Sequence, residues 1–174
     1  RSLIKRQIMN YMIYLKTTET CNLNCRHCFT NGINGAKIYW NRNKVSNWLH
    51  KFSTITNNQD TVHCEFHGGE PFLVEPEEMM EVYNNCKDIL PNSTWGITSN
   101  LVLKLYDSHF EFIKNALNNR VGTSWDPKIR FDNRKQIDLW RSNVKTLLSK
   151  GVTVRLFISV TRSEEHTSEL QSHS

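Results

Sequence analysis

Apolar residues recur along the chain with two different periods, and the switches between them mark its elements. Residues 11–17 (Y-M-I-Y-L-K-T) read as a strand, followed by a polar loop that carries three cysteines and then Gly32 and Gly35. From 43 to 52, Val45, Trp48, Leu49 and Phe52 fall at helical spacing before a polar break at Asn57 and Asn58. A second strand, 61–66, runs into H-G-G-E-P. A second helix over 75–90 has Pro76 in its first turn and stops before Pro91, with Met79, Met80, Val82, Tyr83 and Ile89 available for packing. The pattern then predicts a strand at 94–98, a helix at 104–117, a strand at 121–125, a helix at 136–149 closed by Gly151, and a fifth strand at 152–160. Strands and helices alternating about every 30 residues are repeated βαβ units, which pair their strands in parallel. The class is α/β, and periodicity alone leaves open whether the sheet closes into a barrel or stays open.

Composition changes this picture little. Of the 174 residues 38% are hydrophobic and 22% charged, which supplies one soluble core and argues against disorder. The formal charge of +5 is scattered without a basic run or an aromatic and basic stacking surface, which argues against a nucleic-acid partner. No apolar stretch approaches the roughly 18 to 20 residues that span a bilayer, and the opening R-S-L-I-K-R-Q-I-M-N lacks the apolar segment of a signal peptide. The expectation is a cytoplasmic protein with no membrane partner. Residues 1–10 read as a lead-in, with Met9 as a candidate start. Residues 162–174 are polar and resemble the conceptual translation of a sequencing-library adapter, although Thr161 and Glu164 form a T-x-x-E pattern that also suits a surface helix. One core unit, 11–161, remains.

The chemistry begins with C-N-L-N-C-R-H-C, which places Cys21, Cys25 and Cys28 in the loop leaving the first strand. Five cysteines, three of them within eight residues, suit a metal site in a reducing compartment better than a disulfide framework. Three thiolates at this spacing can wrap one face of a cubic [4Fe–4S] cluster and hold three of its four irons. The fourth iron is then open to a substrate or cofactor, where an electron-carrying ferredoxin places a fourth thiolate. A structural zinc held by these cysteines and His27 is the competing reading, but adjacent His27 and Cys28 would have to turn sharply onto one tetrahedral ion. Cys64, in the second strand, and Cys86, in a helix, read as small apolar packers.

The cysteine loop, C-x3-C-x2-C, followed by Gly68, Gly69, Glu70 and Pro71 at the end of the second strand, resembles the radical S-adenosylmethionine (SAM) superfamily in both of its signature motifs. The resemblance spans about residues 12–161. It implies a partial (β/α)6, TIM-like barrel, here truncated after about the fifth strand, with its site at the C-terminal ends of the strands. It also implies that the amino and carboxylate groups of SAM chelate the open iron and that G-G-E-P binds the amino group. Two glycines let the backbone approach a ligand closely, and Glu70 can accept hydrogen bonds from an ammonium. Thr98-Ser99-Asn100 stands where relatives carry a T-N-G-like strand end. Ser124-Trp125-Asp126-Pro127, with Phe131-Asp132 after it, resembles the S-x-D-G-P and H-D of anaerobic sulfatase-maturing and other peptide-modifying members, but lacks the glycine and has Phe for His. Carried across residue by residue, Ser124 is a ligand of the SAM carboxylate, Asn100 a further polar contact and Asp126 a candidate substrate contact. No catalytic acid or base is assigned.

The activity implied by the resemblance is reductive cleavage of SAM to a 5′-deoxyadenosyl radical that abstracts a substrate hydrogen, with an electron donor such as flavodoxin or ferredoxin. The S-W-D-P stretch favours a peptide or protein substrate over the alternatives within the superfamily, a small metabolite or a role as an activating enzyme. Outside enzymes, the alternatives are an iron–sulfur electron carrier and a zinc-stabilised binding module. A unit ending near its fifth strand is expected to be inactive on substrate by itself, because a sheet edge is left bare.

Overall fold

The computed structural model describes residues 7–26, 28 and 32–158. Within them β1 (Asn10–Thr18), β2 (Thr61–Gly68), β3 (Ser93–Ile97), β4 (Arg120–Ser124) and β5 (Thr153–Phe157) alternate with α1 (Arg42–Ser53), α2 (Pro76–Cys86), α3 (Asp107–Ala116), a single turn α4 (Pro127–Arg130) and α5 (Arg134–Ser149). The expected lead-in falls partly, and the adapter-like segment 162–174 wholly, outside the described residues, as does the end of the strand expected at 152–160.

Local chemistry sets where the helices begin and end. The Asn41 side chain accepts the Lys44 N–H at 3.0 Å and starts α1, and Asn133 does the same for Gln136 at 3.1 Å. That cap starts α5 two residues before the periodic pattern does. For α3 the start moves the other way, from 104 to Asp107, because the Tyr106 N–H donates to His109 Nδ1 at 3.2 Å and fixes the cap there. Helix α2 ends at Cys86, short of residue 90, and the Lys87 N–H closes onto the Tyr83 carbonyl. Gly151, at φ +77°, closes α5 in the left-handed conformation that glycine adopts without strain. Among the described residues no helix is long and apolar enough to cross a membrane.

All strand pairs are parallel, in a sheet ordered β1-β2-β3 and a second patch β4-β5. The patches meet at one parallel bridge, Thr98 to Gly122, next to which the Ser99 N–H donates to the Gly122 carbonyl at 2.9 Å. Glycine leaves room there, since a Cβ on Gly122 would lie 2.9 Å from Thr98 Oγ1 and 2.8 Å from the Phe157 ring and would displace those side chains. The strands do not close into a barrel among the described residues.

The two faces of the sheet differ in chemistry. On β2, Val62, Cys64 and Phe66 are buried in the apolar core, while His63 and Glu65 alternate with them and line a cavity of about 910 Å³ on the other side. There Glu65 accepts the Thr98 hydroxyl at 2.6 Å and pairs with His63 at 2.9 Å, and His63 meets the Thr94 hydroxyl at 2.7 Å. Phe66 is the centre of the core, fully buried against Trp40, Trp95 and Phe112. Cys64 and Cys86 are buried in the same core, and burial pushes the Cys64 thiol up to about 12, so both act as the apolar packers expected.

Truncating Phe66 to alanine leaves a void that its aromatic neighbours cannot fill. The expected loss is about 3–5 kcal/mol of unfolding free energy, measured by urea denaturation of wild type and Phe66→Ala.

Candidate functional site

The C-terminal ends of β1, β2 and β3 are tied together by backbone and carboxylate bonds. As β1 ends, its register against β2 shifts between Lys16 and Thr18, and the chain turns into the cysteine loop alongside the turn that follows β2. The Gly69 N–H donates to the Thr18 carbonyl and the Glu70 N–H to the Thr20 carbonyl, both at 2.8 Å. A Cβ on Gly68 would overlap the Thr18 carbonyl, and one on Gly69 would overlap the Thr20 carbonyl. Gly68, at φ +149°, is also in a conformation that other residues rarely adopt. The close approach expected of these glycines is therefore made to the chain itself, immediately before Cys21.

Glu70 carries the connection on to β3. Its side chain is fully buried, with Oε1 accepting the Phe72 N–H at 2.9 Å and the Ser99 hydroxyl at 2.8 Å, and Oε2 accepting the Asn100 N–H at 2.7 Å. Burial pushes the Glu70 carboxyl up to about 7, against the opposing pull of these three donors and of the Arg130 guanidinium. Pro71 opens a 3-10 turn, Pro71–Leu73, that holds the segment against the core.

Asn100 closes the circuit. Its amide Nδ2 donates to Cys21 Sγ at 3.7 Å and to Asn22 Oδ1 at 2.8 Å, and its Oδ1 accepts the Val102 N–H at 2.7 Å. The next residue, Leu101, is buried at φ +53°, a left-handed conformation that costs a non-glycine residue about 1 kcal/mol or more. Ser99 Oγ holds it by accepting the Leu101 N–H at 3.0 Å, and Asn143 Nδ2 donates to the Leu101 carbonyl at 2.9 Å.

The three cysteines are half-buried on one loop, and the Cys28 N–H donates to the Cys25 carbonyl at 3.0 Å. Burial pushes the Cys21 thiol up, the Leu23 N–H pulls it down, and Glu70, Cys25 and Cys28 push it up again through their charges. Cys25 is raised by burial first, lowered by Arg130 and raised by Cys28. The thiols therefore lie within electrostatic reach of one another. Among the described residues no three His, Cys, Asp or Glu side chains converge on a point that would hold a single metal ion. Thiolates on three different corners of a cubane stand farther apart than ligands of one ion. His27, the fourth zinc ligand considered above, lies outside the described residues.

The other patch contributes Ser124, half-buried at the end of β4, and Asp126, which is buried. The Asp126 carboxylate lies 3.6 Å from Arg130 Nη2, and its carbonyl accepts the Ile129 and Arg130 N–H groups. Phe131 packs with Trp125 and Trp140 at ring separations of 5.8 and 6.4 Å, so an apolar ring stands where the sequence resemblance implied a histidine. Sequence reasoning gave no role to Ser99, Asn22 or Arg130. The polar T-S-N end of β3 was a signal for Ser99, whereas Asn22 and Arg130 are recognisable only once distant segments are brought together.

These features define an α/β chain of parallel strands with the fold of an incomplete, TIM-like barrel. The chain belongs to the family of 4Fe-4S single cluster domains, whose model matches residues 11–145. Among solved structures it is similar to anSMEcpe, an anaerobic sulfatase-maturating enzyme, with bound AdoMet: TM-score 0.71, 19% identity, covering 96% of this chain and 48% of that one. The same enzyme with bound AdoMet and a Cp18Cys peptide matches at TM-score 0.70 and 19% identity, over 94% of this chain and 47% of that one. Methylornithine synthase (PylB) matches at TM-score 0.58 and 14% identity, over 87% and 45% of the two chains. At these identities the likeness is one of fold, and the chain spans about half the length of the anSMEcpe structures. No curated protein matches it in sequence.

The raised carboxyl of Glu70 has a measurable consequence. Between about 4.5 and about 7 the folded chain retains a proton on Glu70 that the unfolded chain has released, so its contribution to stability falls as pH rises through that window. Glu70→Gln removes this component, and urea unfolding of the metal-free chain at about pH 5 and about pH 7 is expected to show a smaller pH difference for the variant than for wild type.

Proposed function

We propose that this chain is the core of a radical SAM enzyme in which Cys21, Cys25 and Cys28 hold a site-open [4Fe–4S] cluster. The observation that carries the reading is the backbone crossing between the Thr18–Thr20 carbonyls and Gly69 and Glu70, which sets the G-G-E-P turn directly against the cysteine loop. When bound, the cluster supplies the electron that cleaves SAM to the 5′-deoxyadenosyl radical, which abstracts a substrate hydrogen. The residues of the chain supply position and polarity. Gly68, Gly69, Glu70 and Pro71 present the turn that takes the SAM amino group, and the three donors on Glu70 fix its carboxylate in one orientation. Asn100 steadies the Cys21 arm and adds a polar contact at the cofactor. Ser124, at the end of the neighbouring patch, takes the SAM carboxylate. Asp126, 3.6 Å from Arg130 Nη2, is the candidate substrate contact of this reading.

A peptide or protein side chain is the substrate class this reading favours, on the S-W-D-P stretch and on the peptide bound in the anSMEcpe structure of similar fold. A small reduced electron-transfer protein such as flavodoxin or ferredoxin is the expected donor, and cysteine usage supports a cytoplasmic setting. Residues 11–161 form the core unit of this proposal.

Anaerobic reconstitution of the chain, followed by iron and sulfide analysis and addition of SAM, tests the reading. The expected result is a bound cluster whose spectrum changes with SAM, and loss of both cluster and deoxyadenosine release in Cys28→Ala. Zinc in place of iron, a cluster indifferent to SAM, or unchanged iron content in the variant would reject it.

A further inference from the structure

We propose that Arg130 is a positioning residue for the cysteine loop and the fixed cation that raises the one-electron potential of the cluster held there. This rests on the reading that the three cysteines hold such a cluster. The first observation is mechanical. The one-turn helix α4 docks on the loop between two of the cysteines: the Arg26 N–H donates to the Ile129 carbonyl at 3.1 Å, and in the metal-free chain the Cys25 thiol donates to the Arg130 carbonyl at 3.7 Å, a bond that a ligating thiolate gives up while the backbone bond remains. Residues more than 100 positions apart in sequence are thereby brought to one place.

The second observation is the location of the charge. Arg130 is largely buried, with 24% of its side chain exposed, and its Nη2 stands 3.6 Å from the Asp126 carboxylate. The Arg130 carbonyl stands 3.7 Å from Cys25 Sγ, so the residue that carries the guanidinium lies against the Cys25 arm of the loop. Asp126 is the carboxylate beside the guanidinium, and Glu70 lies within its electrostatic reach. The third observation is an unanswered donor. Arg130 Nε is buried without a hydrogen-bond partner. A buried N–H of this kind calls for an acceptor, and thiolate or sulfide near the Cys25 arm has the matching charge.

The physical consequence follows from charge. A cluster with three thiolates is anionic, and reduction adds a further negative charge in a half-buried site. A cation fixed beside it favours the reduced state, because screening by water is weak there. A planar guanidinium holds its charge and its Nε donor in one plane beside Asp126, which an ammonium cannot reproduce in shape although it retains the charge.

The test uses the full chain, reconstituted anaerobically as wild type, Arg130→Gln and Arg130→Lys. Three quantities are read: iron and sulfide content, the melting temperature of the metal-free chain, and the midpoint potential by dithionite titration followed by electron paramagnetic resonance. Arg130→Gln is expected to shift the reduction equilibrium toward the oxidised state by about tenfold, about 59 mV for a one-electron couple, and Arg130→Lys to recover most of that shift. A fully loaded Arg130→Gln cluster at the wild-type potential would overturn the proposal, as would an Arg130→Lys potential equal to that of Arg130→Gln. If Arg130→Gln binds no iron while its metal-free form melts like wild type, Arg130→Lys must load and keep the wild-type potential, or the proposal fails. A wild-type chain that binds no iron–sulfur cluster overturns the proposed function itself, an outcome distinct from all of these.

Discussion

Two backbone hydrogen bonds, from Gly69 and Glu70 to the carbonyls of Thr18 and Thr20, hold the candidate site together. They require two successive residues without a Cβ, since a methyl group at Gly68 or Gly69 would occupy the space of a neighbouring carbonyl. Once the crossing is made, the position of Cys21 is set relative to Glu70. Glu70 in turn collects Ser99 and Asn100 from the end of β3, and Asn100 returns to Cys21. A short motif therefore joins three strand ends into one polar circuit. Burying a carboxylate opposes ionisation, and the three donors on Glu70 offset that cost.

The thiols of Cys21 and Cys25 sit in a field that resists ionisation. Burial raises both Cys21 and Cys25, and each neighbouring cysteine adds to the effect. Metal binding to such a set releases protons and is coupled to pH, because only the thiolate is a ligand. Against this, the loop provides the Leu23 N–H at 3.4 Å from Cys21 and the guanidinium of Arg130 near Cys25. The two arms of the loop are thus stabilised by different means, one by a backbone dipole and the other by a side-chain charge from a distant segment.

Much of this architecture is legible in residue order. The two-residue alternation of β2 separates Phe66 and Cys64 from His63 and Glu65, and the three-cysteine spacing stands out in any reading. Helix ends are less legible, because Asn133 and His109 set them through single hydrogen bonds that hydrophobic spacing does not register. The Gly-Gly pair shows that something must come close, but not whether it is a ligand or the chain itself. Phe131 stands out in sequence only as a departure from a pattern. In three dimensions it belongs to an aromatic group with Trp125 and Trp140, where an imidazole would have to be buried. Arg130 lies on a helix of four residues, too short for any periodicity, and its partners are at the other end of the domain in sequence.

The site also lies across the seam of the sheet. Cysteines and G-G-E-P belong to the β1-β2-β3 patch, whereas Ser124, Asp126 and Arg130 belong to the segment that follows β4. One parallel bridge joins the patches as sheet among the described residues; polar links include the Ser99–Gly122 bond, the contacts of α4 with the cysteine loop and those of Asn143 with the turn after β3, and one apolar core, with Ile97, Phe112, Val121 and Trp140, runs beneath both. Such a seam is the least reinforced part of a parallel sheet, since each patch is internally laddered and the junction is not. A ligand that touches both sides is favoured by their correct alignment and, by linkage, favours that alignment in return.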